Sequence, residues 1–109
     1  MKYPETPELP ALQAYQAEVC RQRGWDQASD LEVFLLFTEE VGELAKAIRR
    51  RRSLFDQAGP TPEDNVSEEL ADVFSYLLDL SQRLGVDLET AYRSKEDVNR
   101  AREWGSAGG

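Results

Sequence analysis

Two short stretches of this chain place acidic side chains at the same spacing. Residues 39–44 read EEVGEL and residues 68–73 read EELADV, so both fit the pattern Glu-Glu-x-x-acid-apolar. Carboxylates three residues apart project from adjacent turns of one helix face. Oxygen-only ligand sets favour hard divalent cations over zinc or copper. The spacing therefore predicts a site for Mg²⁺, with Mn²⁺ as a substitute, whose ligands would be four acids: Glu40, Glu43, Glu69 and Asp72.

The position of these acids on a helical wheel strengthens the prediction. At about 100° per residue, Glu40 and Glu69 fall inside the apolar stripes of their helices, and Glu43 and Asp72 fall at the stripe edges. Four unpaired carboxylates between two packed helices would be destabilising, and some would have to protonate. A bound divalent cation removes that cost. The alternative is that these acids form an ordinary solvated helix surface.

The last predicted helix carries basic and amide side chains where the other two helices carry acids. Its stripe is apolar at Leu88 and Tyr92 and then continues as three polar residues: Lys95, Asn99 and Arg102. Two cations with an amide between them suit phosphate oxygens, and Asn99 could instead contact a base or a sugar hydroxyl. The alternative is that basic residues simply favour a helix C-terminus.

Three aromatic residues near these motifs have competing interpretations. Trp25 follows the first predicted helix and either stacks on a base or plugs the end of a small bundle. Phe74 and Tyr76 are interpreted as packing residues.

The elements that must position these side chains are four helices, with no convincing strand. They are predicted over Leu9 to about Arg23, Ser29 to about Arg52, Thr61 to about Leu84, and Asp87 to about Trp104. Ser29 followed by Glu32 is a capping-box start. Residues 1–104 should form one helical domain and residues 105–109 a flexible tail. Phe74 and Leu78 fall off the main apolar stripe of the third helix, which predicts a second apolar face and a homo-oligomer.

Composition narrows the available chemistry. The chain has 109 residues and a net charge of −8, so we expect one domain and no binding to a nucleic acid polymer or acidic membrane. It has no His, which excludes Ser-His-Asp and Cys-His nucleophile systems and His-bearing metal sites. The single Cys20 excludes an internal disulfide. No leader peptide or membrane span is expected, and a cytoplasmic location fits.

The motifs, taken in order, resemble a known family. EEVGELAKAI, EELADVFSYL and KEDVNRAR are similar to the corresponding segments of the MazG-like all-α nucleoside triphosphate pyrophosphohydrolases. The family pattern is Glu-Glu-x-x-Glu, a spacer, Glu-x-x-Asp and a Lys…Asn…Arg helix, and no part of it is missing. The similarity extends from about Arg23 to Arg102, and it implies a four-helix MazG-like bundle completed by homo-oligomerisation as a dimer or tetramer.

The resemblance also implies an activity and a role for each motif residue. Such proteins cleave a nucleoside triphosphate, (d)NTP, to the monophosphate and pyrophosphate with Mg²⁺. By this resemblance the four acids named above would be the metal ligands, and Glu39 would orient the attacking water or join an additional metal. The nucleotide would be held by the polar face of the last helix: Lys95, Asn99 and Arg102.

The residue inventory agrees with hydrolysis by water that a metal activates. With no His, a carboxylate such as Glu39 or Glu43 would accept the proton, so these two are the expected catalytic residues. Two alternatives stay open. One is a phosphoribosyl-ATP-type pyrophosphatase of the same superfamily, and the other is a non-catalytic helical interaction or regulatory dimer.

Overall fold

The computed structural model describes residues 8–54 and 65–102, and these residues form four α-helices. They are α1 (Leu9–Gln22), α2 (Asp30–Arg51), α3 (Val66–Arg83) and α4 (Leu88–Arg102), with a short 3₁₀ helix at Trp25–Gln27 between the first two. No strand occurs in these two ranges, so the all-α prediction is confirmed. None of the four helices is both long enough and apolar enough to cross a membrane.

The helix ends follow local sequence signals. Ser29 accepts a hydrogen bond from the Glu32 amide, and the Glu32 carboxylate accepts one from the Ser29 amide, which completes the predicted capping box. Those bonds hold the pKa of Glu32 below its usual value. Gly24 has a φ of 76° and follows α1 in the left-handed conformation that glycine adopts freely. Asp87 accepts a hydrogen bond from the Thr90 amide at the start of α4, as predicted.

Two predicted boundaries fall partly outside the described ranges. The expected start of the third helix at Thr61 lies there, and within the described residues α3 begins at Val66 after Asn65. The predicted tail at residues 105–109, and Trp104 at the expected end of the last helix, also lie outside them.

The helices pack around α3, which contacts both α2 and α1. Arg83 at the end of α3 donates to the Ala28 carbonyl just before α2, whereas Glu69 and Asp72 early in α3 lie beside Glu40 further along α2, so the two helices run antiparallel. Six apolar residues of the described ranges are buried, and they come from all three of these helices: Val19, Cys20, Val33, Ala47, Val66 and Leu78. This packing sets the acid-bearing faces of α2 and α3 against each other.

Leu78 was predicted to belong to a second apolar face of α3 that a partner chain covers, and for this residue the prediction is wrong. That side chain is 4% exposed and belongs to the core of the chain itself. Leu78 lies one turn before Gln82, which accepts a hydrogen bond from Gln13 of α1, so the side assigned to a partner is the side that α1 covers. Phe74, which was also interpreted as a packing residue, is 39% exposed in the single chain.

A buried glutamine attaches α4 to the rest of the bundle. Gln13 donates to the Val86 carbonyl oxygen at 2.7 Å and accepts from the Leu88 amide at 3.0 Å. The second bond satisfies one of the free amides at the start of α4. Among the larger contacts between described elements, α4 packs only against α1.

Candidate metal centre and adjoining cavity

Three of the four predicted ligands converge where α2 meets α3. Glu40, Glu69 and Asp72 each offer a carboxylate oxygen, and these oxygens lie within 4.8 Å of one another. Glu40 and Glu69 are half-buried and Asp72 is exposed. Glu40 and Glu69, which the helical wheel puts inside the apolar stripes, therefore lie in one cluster with Asp72, which it puts at a stripe edge.

The cluster has an unsatisfied acceptor. Glu69 Oε1 accepts a hydrogen bond from Asn65 Nδ2 at 3.3 Å, whereas Glu69 Oε2 is buried and has no hydrogen-bond partner. A buried carboxylate oxygen without a partner is costly, and a cation is the ligand that satisfies it. The donor set, three carboxylates and no nitrogen or sulfur, fits Mg²⁺ or Mn²⁺.

The electrostatics of Glu40 point to the same need for positive charge. Burial raises the pKa of Glu40 above its ordinary value, and the negative charges of Asp72 and Glu69 raise it further. The nearby charge of Glu39 adds a smaller contribution. Each of these effects disfavours the ionised carboxylate, and a bound cation would oppose them.

The structure does not bring Glu43 into this group. Glu43 is exposed, and the only cluster of three or more potential metal ligands in the described ranges contains Glu40, Glu69 and Asp72. Glu43 lies at the stripe edge, about one turn beyond Glu40 on α2. Glu39 is exposed as well and lies close enough to affect Glu40 electrostatically.

A cavity of about 580 Å³ adjoins the acid cluster. Its wall includes Glu40 and Asp72 at one end and side chains of α1, α3 and the 3₁₀ helix beyond them. The other lining residues are Gln16, Cys20, Arg23, Gly24, Trp25, Ala28, Val33, Leu36, Ser75, Tyr76 and Asp79. A partly apolar cavity beside a candidate cation site is the usual form of a small-molecule site.

Trp25 forms part of the cavity wall instead of filling the bundle end. It is 53% exposed, and the guanidinium of Arg23 lies 4.9 Å from its ring centroid. The exposed face of an aromatic ring in such a wall can stack on a planar ligand. Trp25 thus lines the same cavity as Glu40 and Asp72.

Arg83 fixes the segment that carries Trp25. Its Nε donates to Asp79 Oδ1 at 3.0 Å, and its terminal nitrogens donate to the carbonyl oxygens of Trp25, at 2.8 Å, and Ala28. One guanidinium therefore joins α3 to both ends of the 3₁₀ helix. The Arg83–Asp79 pair is largely shielded from solvent, with side-chain exposures of 16% and 11%.

The predicted nucleotide-binding face of α4 is not part of this site in a single chain. Lys95 and Arg102 are exposed and Asn99 is half-buried, and none of the three lines the cavity. Among the larger contacts between described elements, α4 meets α1 and neither of the two helices that carry the cluster.

Several cavity residues carry no signal in the sequence that would single them out. Asp79 and Arg83 appear as an ordinary acid–base pair four residues apart, and Gln16 appears as a surface amide. Tyr76, interpreted as a packing residue, lines the cavity, and burial followed by the charges of Glu40 and Asp72 raises its pKa. Its spacing of four residues from Asp72 is the one clue that would have placed it on the site's face.

Comparison with known proteins identifies the family. Residues 29–100 match the family described as MazG nucleotide pyrophosphohydrolase domain. Human dCTP pyrophosphatase 1 is 36% identical over 102 residues, which are 88% of this chain and 59% of the human protein. The dATP/dGTP diphosphohydrolase of cyanophage S-2L is 39% identical over 69 residues, 63% of this chain and 52% of the phage protein.

This chain therefore spans somewhat more than half the length of the curated relatives it matches. The family match contains all three clustered acids, and it also contains the Lys95 and Asn99 positions of α4. Both the ordered acidic motifs and the match over two thirds of the sequence lead to one conclusion: the chain belongs to the MazG nucleotide pyrophosphohydrolase domain family.

Proposed function

We propose that this chain is a Mg²⁺-dependent pyrophosphohydrolase that cleaves a nucleoside triphosphate to the monophosphate and pyrophosphate. The observation that carries the proposal is the convergence of three carboxylates, one with a buried and unpartnered oxygen, at one end of a cavity whose wall includes Trp25. The names of the relatives support the substrate class, because dCTP, dATP and dGTP are all nucleoside triphosphates.

The side chains divide the work between holding an ion and holding a nucleotide. Glu40, Glu69 and Asp72 would hold Mg²⁺, and Mn²⁺ could substitute. A bound ion of this kind offsets phosphate charge and lowers the pKa of water. The cavity beyond the cluster is where the base and sugar would lie, with Trp25 available to stack on the base.

Glu39 and Glu43 are the acids left for proton transfer. Both are exposed and lie on α2 within one turn of Glu40, so either can accept a proton at the edge of the cluster. Glu43 keeps a further role as the fourth ligand, because a glutamate side chain can change rotamer to reach an ion.

We further propose that a second copy of the chain supplies the phosphate contacts. The polar face of α4, with Lys95, Asn99 and Arg102, stands apart from the cluster of its own chain. Large apolar side chains of α2 and α3 are also exposed, among them Leu31, Phe34, Leu35, Leu70 and Phe74. A homodimer or homotetramer would cover these side chains and bring α4 of one copy toward the cluster of another.

The decisive experiment measures pyrophosphate release. Purified protein with Mg²⁺ is given each common NTP and dNTP, and phosphoribosyl-ATP, in separate reactions. Glu69→Gln should lower kcat/KM by about 10²-fold or more, because it removes a ligand oxygen and leaves a neutral amide. Glu68→Gln is the matched control, since Glu68 is the exposed neighbour on the same helix and should change activity little.

Three results would count against parts of the proposal. Release from phosphoribosyl-ATP alone would move the chain to that substrate class, and no release from any nucleotide would favour a non-catalytic dimer. Full activity in Glu69→Gln would remove the metal-ligand assignment. For the assembly, light scattering after size exclusion should give a dimer or tetramer, and a monomer would refute the shared site.

A further inference from the structure

The end of the cavity away from the acid cluster contains a buried carboxylate that metal binding does not use. Asp79 is 7% exposed and lines the same cavity as Asp72. The two residues are seven apart on α3, so they lie on nearly the same helix face, separated by about 10 Å along its axis. A nucleotide has its base and its phosphates at opposite ends of a sugar. Asp79 is therefore set back from the cluster in the direction in which a base would extend.

Arg23, which lies over the Trp25 ring, is the cationic donor of the cavity lining, whereas several other polar groups near Asp79 direct their donors to acceptors of the protein itself. Arg83 uses its guanidinium on Asp79 Oδ1 and on two backbone carbonyls, and Arg83 itself does not line the cavity. Gln16 directs its amide nitrogen to Cys20 Sγ at 3.6 Å, so its oxygen is not used in that contact. Ser75 donates its hydroxyl hydrogen to the Ala71 carbonyl oxygen at 3.0 Å.

Cys20 supplies a weak thiol donor to this end of the cavity, and Asp79 is a side-chain hydrogen-bond partner of that thiol. Burial raises the pKa of the Cys20 thiol, and the charge of Asp79 raises it further, so the group keeps its hydrogen. A thiol is a weak donor, whereas a carboxylate can accept several hydrogen bonds. Asp79 thus keeps acceptor capacity in a place that solvent scarcely reaches.

We propose that Asp79 is a specificity-determining residue that accepts a hydrogen bond from the exocyclic amino group of a bound nucleobase. The proposal rests on the function proposed above, in that a nucleotide occupies the cavity. It predicts that bases with an amino group, namely cytosine, adenine and guanine, are favoured over uracil and thymine. Those two bases would place a carbonyl oxygen against the carboxylate, and two acceptors facing each other leave a buried polar group unsatisfied.

The first test uses the unmodified protein and changes only the ligand. The kcat/KM for dCTP is compared with that for dUTP, and dATP is compared with the analogue that has hydrogen in place of the 6-amino group. The amino-bearing member of each pair should be favoured by about tenfold to a hundredfold. Calorimetric binding of dCMP and dUMP, which needs no turnover, should rank them in the same order. Equal values within both pairs would overturn the proposal.

The second test changes the side chain. Asp79→Asn has nearly the same shape, keeps an oxygen for Arg83 and offers an amide hydrogen to the base, so the preference for dCTP over dUTP should fall by tenfold or more. Asp97→Asn is the control, because Asp97 is an exposed aspartate of α4 that does not line the cavity, and it should leave the ratio unchanged. An unchanged ratio in a folded Asp79→Asn protein would overturn the proposal.

The two tests keep this proposal separate from the proposed function. A protein that hydrolyses nucleotides with no base preference refutes the role of Asp79 and leaves the pyrophosphohydrolase proposal intact. A protein that hydrolyses none of them refutes the proposed function, and the binding ratio of dCMP to dUMP still decides the role of Asp79. Should Asp79→Asn fail to fold, the ligand pairs with the unmodified protein give the answer.

Discussion

Replacing Glu40 with glutamine should have opposite effects on stability in the absence and in the presence of Mg²⁺. Glu40 lies within 4.8 Å of both Glu69 and Asp72, measured between their nearest ligand oxygens. In the metal-free protein the substitution removes two repulsive pairs and one partly desolvated charge. With Mg²⁺ it removes a ligand. Glu40→Gln should therefore be more stable than the unmodified protein without metal and should gain little when metal is added.

The size of the effect follows from Coulomb's law. Two unit charges 4.8 Å apart repel each other by about 0.9 kcal/mol in water and by about 3.5 kcal/mol at an effective dielectric constant of about 20. Because Asp72 is exposed and Glu40 only half-buried, the lower end applies, and two pairs give about 1–2 kcal/mol. For a domain of this size that corresponds to a rise of roughly 5–15 °C in Tm. A metal at a hundredfold excess over its Kd stabilises the unmodified protein by about 2.7 kcal/mol.

The raised pKa of Glu40 also predicts how the stability difference between Glu40→Gln and the unmodified protein changes with pH. The pKa of Glu40 is raised in the folded protein above its ordinary value of 4.5. The favourable contribution of the protonated Glu40 carboxyl group to the free energy of unfolding is therefore complete below that ordinary value. It is lost as the pH rises through the pKa of the folded protein. The stability advantage of Glu40→Gln over the unmodified protein should accordingly be small at pH 4 and grow toward neutral pH.

The assay is thermal and urea unfolding, each run with a chelator and with millimolar Mg²⁺. Glu96→Gln is the control, because it removes the same charge from an exposed site on α4 and should show neither effect. The reasoning would be refuted if Glu40→Gln were destabilised without metal, or if Mg²⁺ stabilised it as much as the unmodified protein. A stability that Mg²⁺ does not change in either protein would refute the metal site.

Three further substitutions test how the site is supported. Gln13→Leu should lower the free energy of unfolding by about 1–3 kcal/mol, measured in urea, because the Leu88 amide and the Val86 carbonyl oxygen both lose Gln13 as their hydrogen-bond partner. Ser29→Ala should cost about 1 kcal/mol in the same assay by removing the α2 cap, and no loss would show that the capping box is not used. Arg83→Met should cost about 2–3 kcal/mol, somewhat less than breaking a fully buried pair, and should speed amide exchange at residues 25–28. Unchanged amide exchange at residues 25–28 would show that Arg83 does not hold the segment that carries Trp25.

Local patterns predicted the parts of this fold that local physics determines. The Ser29 capping box and the start of the last helix at Asp87 each depend on residues within four positions of one another, and both are present. The pairing of Glu40 with Glu69 was also predictable, because a charged residue inside an apolar stripe implies that something compensates for it when the stripe packs.

The parts that the sequence could not indicate depend on contacts between distant residues. Arg83 reaches carbonyl groups more than fifty positions away, and Gln13 bonds to Val86 and Leu88 more than seventy positions away. A backbone carbonyl has no sequence signature, so no motif marks its partner. The error at Leu78 has the same cause, since the wheel shows which side of α3 is apolar but does not show that α1 of the same chain covers it.

Within one chain, the acidic residues of the cluster and the basic residues of α4 do not line the same cavity, and this bears on how the site is completed. Glu40 and Asp72 line the cavity, and among the described residues its lining includes a single cation, Arg23, whereas a triphosphate carries several negative charges. Mg²⁺ at three carboxylates can offset only part of that charge, so further cations must approach from outside the α2–α3 pair. Lys95 and Arg102 are exposed on a helix that Gln13 holds against α1. Neither residue lines the cavity of its own chain, which favours contact with the cluster of a second copy, and exposed apolar residues of α2 and α3 offer a surface for that association.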